Sequence, residues 1–286
     1  MSLLEQTGKP ATIGLLPLRG ALTMPISRSV GRMARNDLTD VLLVQILVNM
    51  NSHRFPDPKP QPLRTDGRIG PGTIGAIERF ETIVMKQAES DGMLVPGDAT
   101  IRALLDGLPP GPTKEKLQVV MPRALPETID RCYEPLVQGM KKYAIDTPLR
   151  AAHFIAQIGH ETASFLYMEE IADGSQYEAR TDLGNTQVGD GRHFKGRGLI
   201  QLTGRANYVA YSNACGIDYV ANPTAIATDP FACVDVACWY WHKRKINQLA
   251  DRDDVKAVTK AVNGGFNGLD DRMDYLYRSK AVLGIT

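Results

Sequence analysis

The feature that most constrains the fold of this chain is a crowded proline and glycine segment near its middle. Residues 108–112 have the sequence Leu-Pro-Pro-Gly-Pro, and charged residues follow from Lys114. Proline lacks an N–H and fixes φ, so neither a helix interior nor a central strand can run through such a segment. The chain is therefore expected to fold as two parts, and its 286 residues suffice for two domains. We place the boundary near residue 110.

Composition is that of an ordinary globular protein, with 43% apolar and 23% charged residues and a formal net charge of +1. This charge gives no sign of a nucleic-acid partner. No run of about 20 apolar residues occurs, so no membrane insertion is expected. The N-terminus also lacks the basic and then apolar pattern of a secretory signal. We expect residues 1–26 to form an irregular, locally basic arm.

The four cysteines indicate free thiols rather than a disulfide framework. Cys132, Cys215, Cys233 and Cys238 form no Cys-x-x-Cys pair, and they are few for so long a chain. Buried free thiols suit a protein made in a reducing cytoplasm. Whether Cys233 and Cys238 pair depends on the local backbone, which the sequence does not fix.

Both parts of the chain are predicted to be mainly helical. In the first part, apolar recurrence predicts helices over 38–50, 73–87 and 98–105, and alternating prolines predict an extended loop over 55–62. The second part has a loop-like stretch over 173–198, rich in Gly, Asp, Asn and Arg. Around it, helices are predicted over 127–143, 148–161, 229–245, 255–262 and 272–282.

Two glutamates in the second part form the central candidate site. Thr147-Pro148 is a strong helix start, with a hydroxyl cap before a proline at the first helical position, and the helix runs to Glu161. Glu170 follows nine residues later. On one continuous helix, nine residues at about 100° each would put the two carboxyls on opposite faces, with a rise of about 13.5 Å. A cooperating pair therefore requires the helix to end between them.

Glycoside hydrolysis uses such a pair, because one carboxyl protonates the leaving oxygen while the other activates water or attacks the sugar. A separation of roughly 6.5–9.5 Å would imply an inverting mechanism with water between the two groups. Glu161 would be protonated and Glu170 ionised, so activity should be bell-shaped in pH. Glutamates near a helix end are also common as solvated surface residues, so their spacing alone does not establish catalysis.

His160, beside Glu161, invites a metal site that the rest of the sequence does not support. The zinc pattern His-Glu-x-x-His requires a second histidine at position 164, which is Ser164. His153 lies seven residues earlier on a similar helix face, without a further cluster of ligands. We expect His160 to pack in the core or beside the site, and we expect no metal and no cofactor.

Two glycine-rich segments offer polar side chains for sugars. Residues 191–205 contain Gln201 and Thr203, which alternate with apolar residues and would share one face of a short strand. An amide and a hydroxyl on one face suit sugar hydroxyls or a positioned water, although a hydrogen-bonded loop core would explain them equally well. Asn263 opens a second segment, Asn-Gly-Gly, where it could bind an N-acetyl group or cap the turn.

Taken in order, these segments resemble glycoside hydrolase family 19, which includes chitinases and the lysozyme-like endolysins of phages. The resemblance covers about residues 113–286 and rests on 151–161, Glu170, 177–185, 195–208 and the Asn-Gly-Gly at 263–265. It implies a mainly α protein with a lysozyme-like α+β catalytic domain, which we assign to residues 109–286. It also implies inverting hydrolysis of β-1,4-linked N-acetylated sugars without a metal.

The resemblance assigns a role to each matching residue. Glu161 matches the general acid, Glu170 the general base and Thr203 the hydroxyl that helps to hold the attacking water. Glu169 competes with Glu170 as the base, but the nine-residue offset favours Glu170. One departure is Ala179, which stands where the family usually has glycine. The residues expected to contact substrate are Gln201, Asn263, Tyr177, Arg197 and His160.

The first part resembles a three-helix peptidoglycan-binding domain, which we assign to residues 27–108. The match rests on 37–51, with its Val-Gln pair, and on Asp-Gly-Arg-Ile-Gly-Pro-Gly-Thr at 66–73. Ile69 replaces the usual phenylalanine, and the proline-rich stretch at 55–62 is atypical. The residues expected to bind the cell wall are Asp66, Gly67, Arg68, Gly70 and Thr73.

The leading functional hypothesis is an endolysin-type muramidase that cuts peptidoglycan glycan strands between N-acetylmuramic acid and N-acetylglucosamine. A chitinase is the alternative within the enzyme class, and a wall-binding protein with a decayed catalytic domain is the alternative outside it. We expect a monomer made in the host cytoplasm and acting in the periplasm. Since no signal is visible, export would require a separate, holin-type membrane pore.

Overall fold

A computed structural model describes residues 25–285 and divides them into two compact units. The larger unit comprises residues 123–276, and the N-terminal unit comprises 25–122 together with 277–285. The expected arm at 1–26 lies almost entirely outside the described residues. Along the chain the units divide between Pro122 and Arg123, later than the predicted boundary near residue 110. The reason is a helix after the proline-rich segment, which packs on the first helix of the N-terminal unit.

The N-terminal unit is built from short helices and one small sheet. Strands β1 (Val30–Gly31) and β2 (Met93–Leu94) pair antiparallel. The most buried helix places Val41, Val44 and Leu47 in the core. The helices of this unit are α1 (Leu38–Met50), α2 (Pro71–Arg79), α3 (Ala99–Asp106) and α4 (Lys114–Val120).

The second predicted helix, over 73–87, differs from the observed one. Helix α2 ends at Arg79, and the chain continues as a π-helical turn over Phe80–Val84. In this wider turn the N–H of Met85 donates to the carbonyl of Phe80 at 3.0 Å. Both Phe80 and Glu81 are thereby buried, and Glu81 accepts a hydrogen bond from Thr100 at 2.9 Å. The need to bury two adjacent side chains thus overrides the α-helical period.

The larger unit is mainly helical, as predicted. Its predicted helices are confirmed to within a few residues, but α8 was missed because Asn, Tyr and Ser give it no clear apolar period. The helices are α5 (Pro126–Lys142), α6 (Pro148–Glu161), α7 (Asp190–His193), α8 (Arg205–Cys215), α9 (Ala225–Thr228), α10 (Pro230–Lys243), α11 (Asn247–Ala250), α12 (Val255–Asn263) and α13 (Leu269–Val282), and the last residues of α13 are assigned to the N-terminal unit.

Helix α10 lies at the centre of this unit and packs on α5. Its Trp241 meets Phe154 of α6 edge to face, with ring centroids 5.3 Å apart. Cys233 and Cys238 are both buried on α10 and both free. Five residues on a helix turn the side chains about 140° apart, so these two cannot pair. Burial raises the pKa of both thiols, which makes them poor nucleophiles.

The β element of the larger unit consists of two isolated bridges, from Arg197 to Glu169 and to Leu202. The prediction of a short strand with Gln201 and Thr203 on one face was wrong. Gln201 has a φ of 53°, and its N–H donates to the carbonyl of Gly198 at 3.1 Å, which closes a turn. Among residues 25–285, no helix combines the length and the apolar character needed to cross a membrane.

Candidate active site

Helix α6 carries Glu161 to the point where the helix ends. Its start is set by Thr147, whose hydroxyl accepts the N–H of Arg150 at 3.2 Å, and by Pro148 at the first helical position. All residues from Ala151 to Glu161 are buried. The helix ends at Glu161, which confirms the predicted break between the two glutamates.

Glu161 is held by a buried cation. Glu161 is only 5% exposed. Its Oε1 accepts a hydrogen bond from Arg272, which is 0% exposed. Arg272 also donates to Gln157, one turn earlier on α6, and to the carbonyl of Asn267 at 3.3 Å. The Oε2 of Glu161 has no hydrogen-bond partner among the described residues. One oxygen is thus fixed while the other is left for a substrate.

Arg272 places a buried positive charge directly beside Glu161. A hydrogen bond between charged partners is stronger than one between neutral groups, so this contact fixes the side chain of Glu161 firmly. Sequence reasoning missed both Arg272 and Gln157, because an arginine more than a hundred residues away carries no local signal.

His160 is buried beside Glu161 and lies against α13 and the turn before it. Its Nδ1 is 2.6 Å from an oxygen of Asp271, and a Cβ at position 268 would lie 2.1 Å from its ring, so only glycine fits there. With 1% of the residue exposed, the ring lies between Gly268 and Asp271 rather than on open surface. Within residues 25–285, no three His, Cys, Asp or Glu side chains cluster closely enough to hold a metal ion. A substrate contact by His160 remains a prediction.

Glu170 is held quite differently, by neutral donors. Its Oε1 accepts from the amide of Gln176 at 2.9 Å and from the hydroxyl of Tyr177 at 3.0 Å. Its Oε2 accepts from the N–H of Gly196 at 3.1 Å. The residue is 4% exposed. Three neutral donors thus fix the carboxylate of Glu170. Tyr177 is one of these donors, and its predicted substrate contact stays a prediction. The sequence did not indicate the contact made by Gln176.

The carboxylate of Glu169, the competing candidate for the base, forms ion pairs with two basic side chains. Its Oε1 lies 3.0 Å from Arg197 and 3.3 Å from Lys195. Arg197 is buried and also donates to the carbonyl of His193 and the hydroxyl of Tyr208. These contacts make the Glu169–Arg197 pair part of the loop's framework. The predicted substrate contact by Arg197 stays a prediction.

The side chains of Gln201 and Glu170 approach each other beside Gly196, where only glycine fits. A Cβ at Gly196 would lie 2.8 Å from the Oε1 of Gln201 and 3.3 Å from the Oε2 of Glu170. The Oε1 of Gln201 is buried without a partner among the described residues. Thr203 donates its hydroxyl to the carbonyl of Gln201 at 2.9 Å. The structure thus brings Gln201 close to Glu170, and Thr203 contacts Gln201.

Asn263 is the last residue of α12, followed by Gly264 in the left-handed conformation that ends the helix. Its Nδ2 is buried and makes no hydrogen bond to any described residue. A buried donor without a partner is costly, and a bound sugar or water would satisfy it. The predicted sugar contact stays a prediction.

The loop that follows Glu170 is clamped by two carboxylates. Glu178 accepts the N–H groups of Gly189 and Gly191 at 2.6 and 2.8 Å. Asp190 accepts from Arg205 at 2.9 Å, and this guanidinium holds the pKa of Asp190 below its usual value. Ala179 has a φ of 56°, which explains why glycine is usual at this position.

In the N-terminal unit, the predicted wall-binding turn is organised by Gln45, the glutamine of the Val-Gln pair. Its buried Oε1 accepts the N–H groups of Asp66 and Gly67 at 3.1 and 3.0 Å. Its Nε2 donates to the carbonyl of Arg68 and to the hydroxyl of Thr73, both at 3.1 Å. Gly67 has a φ of 69°, and a Cβ there would lie 2.7 Å from the carbonyl of Leu38.

The contacts of Gln45 give most of this motif a structural explanation. The N–H of Arg68 also lowers the pKa of Asp66. Gly70 is the N-cap of α2, and Thr73 is buried. The side chain of Arg68 is exposed and is the motif's free polar group. Wall binding by this turn stays a prediction.

Comparisons with known proteins agree with this site. Residues 149–260 match the family model of glycoside hydrolase family 19, described as chitinase class I. A Haemophilus influenzae protein named a glycosyl hydrolase family 19 domain-containing protein is 29% identical over 196 residues, covering 58% of this chain and 95% of its own. An Arabidopsis thaliana endochitinase is 33% identical over 141 residues, covering 47% of this chain. The match spans 48% of that plant relative's length.

The fold is shared with solved chitinases. Chitinase C from Streptomyces griseus HUT6037 superposes with a TM-score of 0.52 at 23% identity, covering 61% of this chain and 93% of its own. At this identity the likeness establishes the fold, and the matched family model spans both glutamates. Residues 149–260 are therefore similar to glycoside hydrolase family 19 catalytic domains, and these comparisons support a glycoside hydrolase.

Proposed function

We propose that the protein is an endo-acting peptidoglycan glycosidase of the muramidase type, which hydrolyses β-1,4 bonds by inversion. The observation that carries the proposal is the pair of buried glutamates held in contrasting ways. Glu161 is bonded by Arg272 through one oxygen, and Glu170 by three neutral donors. Two carboxyls in different surroundings are what an acid and a base in one site require.

In the proposed reaction, protonated Glu161 donates its proton to the glycosidic oxygen as the bond to the anomeric carbon breaks. Ionised Glu170 takes a proton from water, whose oxygen attacks that carbon from the opposite face. In this proposal Thr203 and Gln201 orient this water. The products are two shorter glycans, and the new reducing end has inverted configuration. Glu161 and Glu170 then exchange protons with solvent to restore the starting state.

Two observations favour peptidoglycan as the substrate. The N-terminal unit has the Gln45-organised turn of a sequence that resembles peptidoglycan-binding domains. A binding module raises the local concentration of the enzyme on an insoluble polymer. The Haemophilus relative, matched over 95% of its length, is bacterial. In this proposal the protein is a monomer that reaches the periplasm through a separate holin-type pore and lyses the cell.

A second candidate function is hydrolysis of chitin, since the plant relatives are named endochitinases. The two substrates differ in the lactyl group of N-acetylmuramic acid, so a site for one need not accept the other. Release of soluble fragments from chitin, measured beside turbidity loss of permeabilised Gram-negative cells, separates them. Cleavage of chitin alone would replace the proposal with this alternative.

The test of the proposal is mass spectrometry of purified Gram-negative sacculi digested with the full chain. Reducing ends at N-acetylmuramic acid are expected, and anhydro sugars would instead indicate a lytic transglycosylase. Glu161→Gln is the matched control, because it keeps the size of the side chain and removes the proton that is donated. It should bind sacculi without cutting them. Equal digestion by both forms would overturn the enzymatic role assigned to Glu161, and digestion by neither form would overturn peptidoglycan as the substrate.

A further inference from the structure

The segment directly after Glu161 has an unusual backbone. Ala163, Ser164 and Phe165 have φ values of 50°, 67° and 60°. Residues with a Cβ disfavour this left-handed region, because the Cβ approaches the following carbonyl, and they visit it singly rather than in runs. Three in succession persist only where surrounding contacts enforce them. This left-handed turn, residues 163–165, lies between the two catalytic glutamates.

Backbone contacts fix both ends of the left-handed turn. The N–H of Ser164 donates to the carbonyl of Gly159 on α6 at 2.7 Å. Thr162 accepts the N–H groups of Leu166 and Tyr167 at 3.0 and 3.1 Å through its carbonyl. Its hydroxyl accepts the N–H of Phe165 at 2.9 Å. The turn is therefore tied to the same helix end that presents Glu161.

One side chain from a distant helix completes this anchoring. The hydroxyls of Ser164 and Tyr275 lie 2.6 Å apart, and Tyr275 is 2% exposed. The ring of Tyr275 covers Gly159, where a Cβ would lie 3.0 Å from it. Tyr275 is three residues after Arg272, so both project from the same side of α13. One helix thus contacts the acid through Arg272 and the turn through Tyr275.

We propose that Ser164 and Tyr275 are positioning residues for catalysis. Their hydrogen bond holds the left-handed turn, and the turn sets where Glu170 lies relative to Glu161. Without the bond, the turn would relax toward ordinary backbone angles and move the base away from the acid. A displacement of this kind lowers the rate of the chemical step more than it weakens substrate binding. The inference rests on the two-carboxylate mechanism proposed above.

The test is the kinetics of Tyr275→Phe in the full chain, on the glycan that the wild type cleaves. We expect kcat to fall by about 10-fold or more with KM within about twofold. The hydroxyl of Tyr275 also accepts a long hydrogen bond from Arg123 at 3.5 Å, and Ser164→Ala below leaves that bond in place. Tyr211→Phe is the control, because Tyr211 is also buried and its hydroxyl also makes a hydrogen bond, to Asp235 at 3.0 Å. That variant should keep the wild-type kcat. Equal kcat values for the two variants would overturn the inference.

A second variant guards against misfolding and tests the pair itself. Ser164→Ala removes the same hydrogen bond without altering the ring, so it should lower kcat to a similar degree. The double variant should lose no more than either single one, because each removes the same interaction. Additive losses would show that the two residues act independently and would overturn the proposal.

Failure of this inference is distinguishable from failure of the proposed function. If Glu161→Gln and Glu170→Gln lose activity while Tyr275→Phe and Ser164→Ala keep the wild-type kcat, the positioning role alone falls. If Glu161→Gln retains activity, the two-carboxylate mechanism falls, and the positioning role falls with it.

Discussion

Two motif-rich regions of this molecule use their polar residues in opposite ways. In the turn over residues 66–73, polar groups satisfy one another, since Gln45 bonds four of its members. Between Glu161 and Glu170, donors from several elements converge on two carboxylates, and the Oε2 of Glu161 is left without a partner among residues 25–285. The first pattern builds a fold, whereas the second is the arrangement that the proposed reaction requires. A sequence motif can encode either, and only the contacts distinguish them.

The largest expected effect tests the catalytic region directly. Glu170→Gln should lower the rate of reducing-sugar release from sacculi by roughly 10²–10⁴-fold, because an amide cannot take a proton from water. Glu169→Gln is the matched neighbour, since Glu169 is bonded by Arg197 and Lys195. It should change the rate by only a few-fold. A larger loss from Glu169→Gln than from Glu170→Gln would reverse the assignment of the base.

The N-terminal turn should respond in stability rather than in rate. Gln45→Leu leaves several buried donors and acceptors of the turn without partners, which should lower the free energy of unfolding of this unit by about 2–3 kcal/mol. Chemical denaturation measures this loss. Cleavage of a soluble glycan should be unchanged. Gln61→Leu, at an exposed position of the same unit, is the control and should be nearly neutral. A slower cleavage by Gln45→Leu would contradict the separation of roles.

The loop clamped by Asp190 should show its contribution in the pH dependence of stability. Arg205 lowers the folded-state pKa of Asp190, so the pair stabilises the fold above the unfolded pKa of about 3.9. This stabilisation is lost as the pH falls through the lower, folded pKa. Arg205→Met should lower the free energy of unfolding by about 1–3 kcal/mol at pH 7. The difference in the free energy of unfolding between Arg205→Met and the wild type should shrink from about pH 5 to pH 2. A difference that stays constant over this range would contradict the stabilising role of the Asp190–Arg205 pair.

The smallest effect concerns a single backbone position. Ala179 has a φ of 56°, so Ala179→Gly should relieve strain and raise the free energy of unfolding by about 0.5–1 kcal/mol. Ala210, inside helix α8, provides a control of opposite sign, because Ala210→Gly should destabilise by about 1 kcal/mol. Thermal unfolding of both variants measures the difference. Destabilisation by Ala179→Gly would contradict the strain at this position.

Much of the fold could be predicted from the sequence because its helices have strong local signals. The start at Thr147-Pro148 and the end at Glu161 were both predicted, and Asp98 caps α3 as expected through the N–H of Ile101. The prediction for 73–87 was wrong beyond Arg79, since burial of Phe80 and Glu81 imposed a π-helical turn that no local propensity encodes.

The candidate site was predictable only in part. Glu161 and Glu170 lie close along the chain, and their spacing indicated a break in the helix. Arg272 and Tyr275 reach the site from more than a hundred residues away, so no pattern near the glutamates could reveal them. Gln201 was placed on a strand by alternation, but its left-handed φ puts it in a turn that depends on Gly198.

The most direct test of the central claim is the configuration of the newly formed reducing end. Proton NMR of a soluble β-1,4-linked peptidoglycan glycan, recorded in the first minutes of digestion and before mutarotation, measures it. The account predicts that the α-anomer forms first, because water held by Glu170 attacks opposite the bond that Glu161 protonates. Initial appearance of the β-anomer would show a retaining mechanism and would contradict the roles assigned to Glu161 and Glu170.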